Sequence, residues 1–143
     1  MALSDKDISL VRETLALILP IADAAADMFY QHLFEIAPEV KPLFKGDIKK
    51  QGAMLMTSIK LAVDHIDKPE ILLPTVHKLG ERHAQYHVQE DHYTIVGQAL
   101  LWTLEQGLAD AFTEDVKRAW AAVYTTLACE MIKAQRGASI THT

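Results

Sequence analysis

The stretch GERHAQY, residues 80–86, sets a histidine where a helical reading places a core residue. Taken as helix from Val76 to His87, with about 100° between successive residues, the segment puts Val76, Leu79, Gly80, His83, Tyr86 and His87 on one stripe. Lys78, Glu81, Arg82 and Gln85 fall on the other side, so the stripe faces a core with His83 near its middle. A buried imidazole requires a partner. A satisfied core histidine and a metal ligand both fit that position.

Helical periodicity continues in both directions, and no strand-like alternation persists beyond a few residues. Ser4 is placed to cap a first helix, with Asp7 three residues on as in a capping box. Pro20 interrupts the pattern after Leu19, and a second helix runs to about Ile36 with Ala22, Ala26, Phe29 and Leu33 on one face. Pro38 and Pro42 make APEVKPLFKG an irregular corner. A long helix from about Asp47 to Ile66 turns Ile48, Gln51, Gly52, Leu55, Ser58, Ile59, Ala62 and Ile66 inward. Pro69 interrupts again, and Pro74 is expected in the first turn of the helix that carries His83. HVQED reads as a loop, with Asp91 capping a helix over about 92–109 on which Tyr93, Val96, Gly97, Leu100 and Leu104 share a face. Thr113 caps the last helix, whose stripe is Val116, Trp120, Val123, Tyr124, Leu127 and Met131. The tail at 136–143 is polar and expected to be loose. Six substantial helices with short connections make a single all-α domain over residues 1–143.

The chain's 143 residues are enough to bury a core, and the net charge of −5 comes with no basic stripe, which argues against nucleic-acid binding. The longest apolar run, 15–22, contains Pro20, and the amino terminus mixes acids and bases, so neither a membrane span nor a signal peptide is expected. Cys129 is the one cysteine, which excludes an internal disulfide framework and a cysteine-rich zinc site; it falls off its helix's stripe. A cytoplasmic protein is the default expectation.

Few local motifs carry chemistry. His83 and His87 share a helix face at zinc-ligand spacing, but no acidic residue follows in the pattern of a zinc hydrolase. There is no Gly-x-Ser-x-Gly elbow and no glycine-rich phosphate loop. Gln51 reads equally as a helix-edge residue turned to water, and Tyr30 lies on the flank of an apolar face, where periodicity leaves its hydroxyl unassigned.

The ordered combination is more specific than any member. MFYQHLFEIAPEVKPLF, then Gln51 with Leu55, then LGERHAQY, then DHYTIVGQALL, on successive helices over roughly residues 4–135, resembles the globins. The likeness is to bacterial single-domain haemoglobins and the globin half of flavohaemoglobins. It implies a globin fold packed around haem b (iron protoporphyrin IX). His83 corresponds to the proximal histidine that binds the iron, and Phe44 to the phenylalanine that packs on the porphyrin. Gln51 takes the distal position, Leu55 forms an apolar wall one turn later, and Tyr30 corresponds to the distal tyrosine. Tyr93 corresponds to a tyrosine behind the proximal histidine. Two departures stand out. Gln135 occupies the place of a glutamate usual on the last helix, while Glu130 should point elsewhere, and the interval from Phe44 to Gln51 is short.

Physical chemistry agrees with those roles. An axial imidazole must be neutral, with its second nitrogen donating to a fixed acceptor such as a carbonyl near Leu79. Hydrogen bonds from Tyr30 and Gln51 to a partly negative bound oxygen would each contribute about 1–3 kcal/mol. That is roughly five-fold to over a hundred-fold in affinity per donor, and carbon monoxide, being less polarised, should gain less. The resemblance therefore implies tight oxygen binding at an open sixth site. The alternative is a dioxygenase converting nitric oxide to nitrate, for which Tyr30 and Gln51 are the candidate catalytic groups. Because no flavin- or nicotinamide-binding segment is visible in the sequence, that cycle would need a separate reductase as partner. A sensor role would call for an output domain that is likewise not visible.

Overall fold

Ser4 opens the first helix as expected: its hydroxyl accepts from the Asp7 amide at 3.1 Å and starts α1, Asp5–Ile18. The computed structural model describes residues 3–44, 47–85 and 90–141, leaving aside the side chains at 69, 82–85, 90 and 138–141. Pro20 ends α1 through a short 3-10 turn at 19–21, and α2 follows over Ala22–Ile36. The Pro38/Pro42 corner is a 3-10 segment, Pro38–Leu43. Asp47 then caps α3, Ile48–Asp64, by accepting from the Lys49 amide at 2.9 Å. Next come α4, Pro69–Gln85, and α5, Glu90–Leu108. Thr113 caps α6, Glu114–Thr141, its hydroxyl accepting from Val116 N at 3.2 Å.

Three boundaries differ from the sequence reading. Pro69 starts α4 rather than interrupting the chain: Lys68 O already accepts from the Ile71 and Leu72 amides, and a proline at the first helical position forfeits no bond. Pro74 consequently lies inside the helix. Helix α5 begins at Glu90, which puts Asp91 in its first turn; residues 87–89 of the expected loop lie outside the described residues. Helix α6 continues into the 136–143 tail as far as Thr141. No proline follows Met131, and extending a formed helix costs far less than nucleating one.

Two apolar clusters hold the helices. In the larger, Val11, Leu15 and Ile18 of α1 share a core with Val63 of α3, Val76 of α4, Leu104 of α5 and Trp120 and Val123 of α6. In the smaller, Phe29, Tyr30 and Leu33 of α2 pack with Val40 of the corner and Ala99 of α5. Arg12 joins α1 to the turn after α3, donating to the Val63 and Asp64 carbonyls and to Asp67 at 3.0 Å. Among the described residues every regular element is helical, and no helix is long and apolar enough to cross a membrane.

Candidate functional site

Between the two clusters lies an apolar cavity of about 150 Å³. Leu55, Ile59 and Ala62 of α3 form one wall and Val76 and Leu79 of α4 the opposite one; Tyr93, Val96 and Leu100 of α5 and Trp120, Tyr124 and Met131 of α6 close it. Among the described residues, apart from Ser58 and the two tyrosines, the lining is hydrocarbon, indole or the Met131 thioether. A recess of about 100 Å³ adjoins it, sharing Ser58, Ala62, Val76 and Leu79. The lip of that recess carries Leu61 and Ile71, 43% and 48% exposed.

On the α3 side the geometry begins at Gly52. A Cβ there would stand 2.9 Å from Ala26 Cβ and 3.7 Å from the Tyr30 ring, so the glycine lets α3 approach α2 closely. Tyr30 is thereby 6% exposed, and burial pushes its phenol above the ordinary tyrosine pKa, keeping it a donor at neutral pH. Its ring meets Phe29 edge-on at 5.1 Å and Phe44 edge-on at 5.4 Å. Leu55 bridges the regions, lining the cavity and packing against the Tyr30 cluster. Gln51, one turn before Leu55, is half-buried. Tyr30, Phe44 and Gln51 stand beside the cavity and are not among its wall.

On the α5–α6 side, the Tyr93 hydroxyl donates to Oε1 of Gln135 at 2.7 Å. The Tyr124 hydroxyl donates to the Tyr93 carbonyl at 2.5 Å. Burial, and then the neighbouring Tyr93, raise the pKa of Tyr124. Gly97 makes room for that ring, since a Cβ there would come within 2.7 Å of it. Glu130 does point elsewhere: its carboxylate meets His77 Nε2 at 3.1 Å and Lys133 at 3.5 Å. His83 lies in α4 near its end, but its side chain, with Tyr86 and His87, is outside the described residues.

The structure thus brings Leu55 and Tyr93 to one cavity, gathers Tyr30 and Phe44 beside it, and joins Tyr93 to Gln135. Sequence reasoning passed over Tyr124 and Phe29 as ordinary stripe members. A tyrosine on an apolar stripe was itself a signal for Tyr124, because a buried phenol must find an acceptor. No local signal marked the His77–Glu130 contact or the stacking of His32 on Trp102, with rings 4.1 Å apart and 4° from parallel.

Helices crossed around an apolar slot, with tyrosines to either side, define a class that the comparisons name. Residues 27–131 match the family model described as Globin. A flavohemoprotein of Vibrio cholerae is 34% identical over 129 residues, covering 88% of this chain and 33% of that protein. Another, from Halalkalibacterium halodurans, is 31% identical over 137 residues, covering 94% and 33%. The chain spans about a third of the length of these curated relatives. Among solved structures, a bacterial globin of Campylobacter jejuni superposes with TM-score 0.83 at 25% identity, over 94% of this chain and 97% of that one. An engineered carbene transferase made from a candidate nitric oxide dioxygenase of Rhodothermus marinus gives 0.86 at 26%, over 99% and 100%. The chain belongs to the globin family, and its fold is the globin fold.

Proposed function

We propose that residues 1–143 form a single globin domain that holds haem b between α3 and α4 and binds diatomic gases there, oxygen most tightly. The observation that carries this reading is the apolar slot whose walls are Leu55 on α3 and Leu79 on α4, with buried Tyr30 beside one side and Tyr93 on the other. The lining suits the apolar faces of a porphyrin, and among the described residues it offers hydroxyls but no ionised group. Haem supplies an iron with one position open to a gas.

The residues divide the work by position. His83 would hold the haem iron through its imidazole, and Phe44 would pack against the porphyrin. Tyr30 and Gln51 donate hydrogen bonds to the bound gas; the raised pKa of Tyr30 keeps its proton available for that bond. Leu55 excludes water from that side. Tyr93 and Gln135 form a neutral pair; placed behind His83, as the resemblance implies, it would give the iron-binding imidazole less negative charge than a carboxylate would. Oxygen, nitric oxide and carbon monoxide are the expected ligands, in a cytoplasmic setting.

The relatives favour a second reading of the same site. Several are named flavohemoproteins, and one structural neighbour derives from a candidate nitric oxide dioxygenase. Oxidation of nitric oxide to nitrate by this domain would require electrons from a separate reductase.

An absorbance spectrum of the purified protein titrated with haem tests the first reading: an intense Soret band that His83→Ala weakens or loses is expected. Absence of that band, or a spectrum and haem affinity untouched by His83→Ala, refutes it. Tyr30→Phe should raise the oxygen dissociation rate by roughly five-fold or more; an unchanged rate removes Tyr30 from the ligand site. Sustained nitric oxide turnover with a reductase present, beyond the first cycle, distinguishes enzyme from carrier.

A further inference from the structure

His77 on α4 places Nε2 3.1 Å from Oε2 of Glu130 on α6, bridging the two helices. One turn further along α4, Gly80 presses on α6 so closely that a Cβ would run into the Met131 carbonyl oxygen and lie 2.9 Å from Ala134 Cβ. Backbone meets backbone there, so α4 cannot slide across α6 without opening the contact, although it can tilt about it. The His77–Glu130 contact sits beside that pivot on one flank, and His83 follows it on the other.

We propose that His77 and Glu130 form a proton-dependent clasp that sets how α4, and with it His83, is seated on α6. The pair makes His77 and Glu130 positioning residues. Their effect on the site rests on the reading of His83 as axial ligand; the clasp itself does not.

The chemistry follows from the two groups. A neutral imidazole gives the carboxylate one hydrogen bond, whereas an imidazolium adds a full charge to the same contact. Histidine is the side chain that ordinarily changes charge between about pH 5 and 8. The hydrogen bond from His77, aided by Lys133, holds the Glu130 carboxyl below the usual glutamate range, so it stays ionised through that window. The contact is half-shielded, with the side chains of His77 and Glu130 44% and 21% exposed. Other charges nearby are Lys133 on α6 and, on α4 itself, exposed Lys78 and Glu81. On the other flank of α4, α3 brings His65, which lines the neighbouring recess and bonds the Leu61 carbonyl through Nδ1 at 3.0 Å. The seat is therefore tighter with a protonated His77 than with a neutral one.

The test uses the haem-loaded chain with His77→Gln, Glu130→Gln and the double variant, unfolded in urea at about pH 5.5 and about pH 8.5, on either side of the histidine range. The coupling between the two sites should be about two- to five-fold larger, as an equilibrium constant, at the lower pH. Amide exchange over residues 76–85, corrected for its intrinsic pH dependence, should slow by a similar factor in the parent protein and stay flat in both single variants. His77→Lys, with a permanent charge, should restore the slow exchange at both pH values. The iron–imidazole stretching band should shift with pH in the parent and not in Glu130→Gln. Equal coupling at both pH values, or exchange that ignores the substitutions, overturns the clasp. A pH-dependent coupling with an unmoved band overturns its transmission to His83. Failure to take up haem would instead refute the axial role of His83, and coupling and exchange would still judge the clasp.

Discussion

The Tyr93 hydroxyl on α5 donates to Oε1 of Gln135 on α6 across 2.7 Å, tying together two helices that close the cavity. Tyr93 is 7% exposed, so its phenol has little access to solvent should the amide be removed. Gln135→Leu should therefore cost about 1–2 kcal/mol of stability. Adding Tyr93→Phe to that variant should cost less than Tyr93→Phe does in the parent, because the shared bond is already gone. A urea double-mutant cycle measures the difference; strictly additive losses would mean that the contact contributes nothing.

Gly80 makes the opposite kind of prediction, one of crowding. The atoms that a new Cβ would strike include the Met131 carbonyl, which belongs to backbone and cannot rotate aside. Gly80→Ala should cost about 1–3 kcal/mol through overpacking, despite alanine's better helix propensity. Gly137 lies on α6, and beyond its own helix backbone no described residue comes within 4 Å of where its Cβ would be. There no crowding opposes the propensity gain, and Gly137→Ala should stabilise by up to about 1 kcal/mol. Guanidinium midpoints for the two variants should move in opposite directions.

What was legible in the sequence was local. Ser4 and Thr113 announce helix starts through side chains that bond their own next turn, and Pro20 breaks the pattern where it stands. The stripe from Val116 to Met131 reads correctly because one helix's period decides it. Tyr30 was undecided because its burial depends on Gly52 of another helix, far along the chain. His77 and Glu130, 53 positions apart, meet through the angle between α4 and α6, which no spacing encodes. The starts of α4 and α5 were displaced for a different reason: Pro69 and Asp91 each suit a cap or a first turn, and the sequence pattern does not choose between them.

Arg12 carries a pH prediction with a definite sign. Its hydrogen bond, and next its charge, hold the Asp67 carboxyl below the ordinary aspartate range. A carboxylate with a depressed folded pKa contributes stability above its unfolded pKa of about 3.9 and loses it as pH falls through the folded value. The stability difference between the parent and Arg12→Ala should accordingly be constant from about pH 5 to pH 8 and shrink below about pH 4. A remainder should persist in acid, because the bonds to the Val63 and Asp64 carbonyls do not titrate. Urea midpoints across that range check the shape, and a difference that grows in acid would contradict it.

Thr14 and Trp120 link the core to the cavity wall. The indole Nε1 donates to Thr14 Oγ1 at 2.8 Å, and that hydroxyl donates to the Leu10 carbonyl at 2.7 Å. Trp120 is 2% exposed and also lines the cavity, so α1 anchors one side of the proposed gas site through this bond. Thr14→Val keeps the volume but removes the oxygen, leaving a buried indole N–H without its acceptor. The expected loss is about 1–3 kcal/mol. Thr14→Ser retains the oxygen and gives up a methyl group, so its loss should be nearer 1 kcal/mol, about what a buried methyl contributes. Guanidinium unfolding ranks the two variants, and Thr14→Val should be the weaker. If serine proves as destabilising as valine, the methyl and not the hydrogen bond holds the pair together.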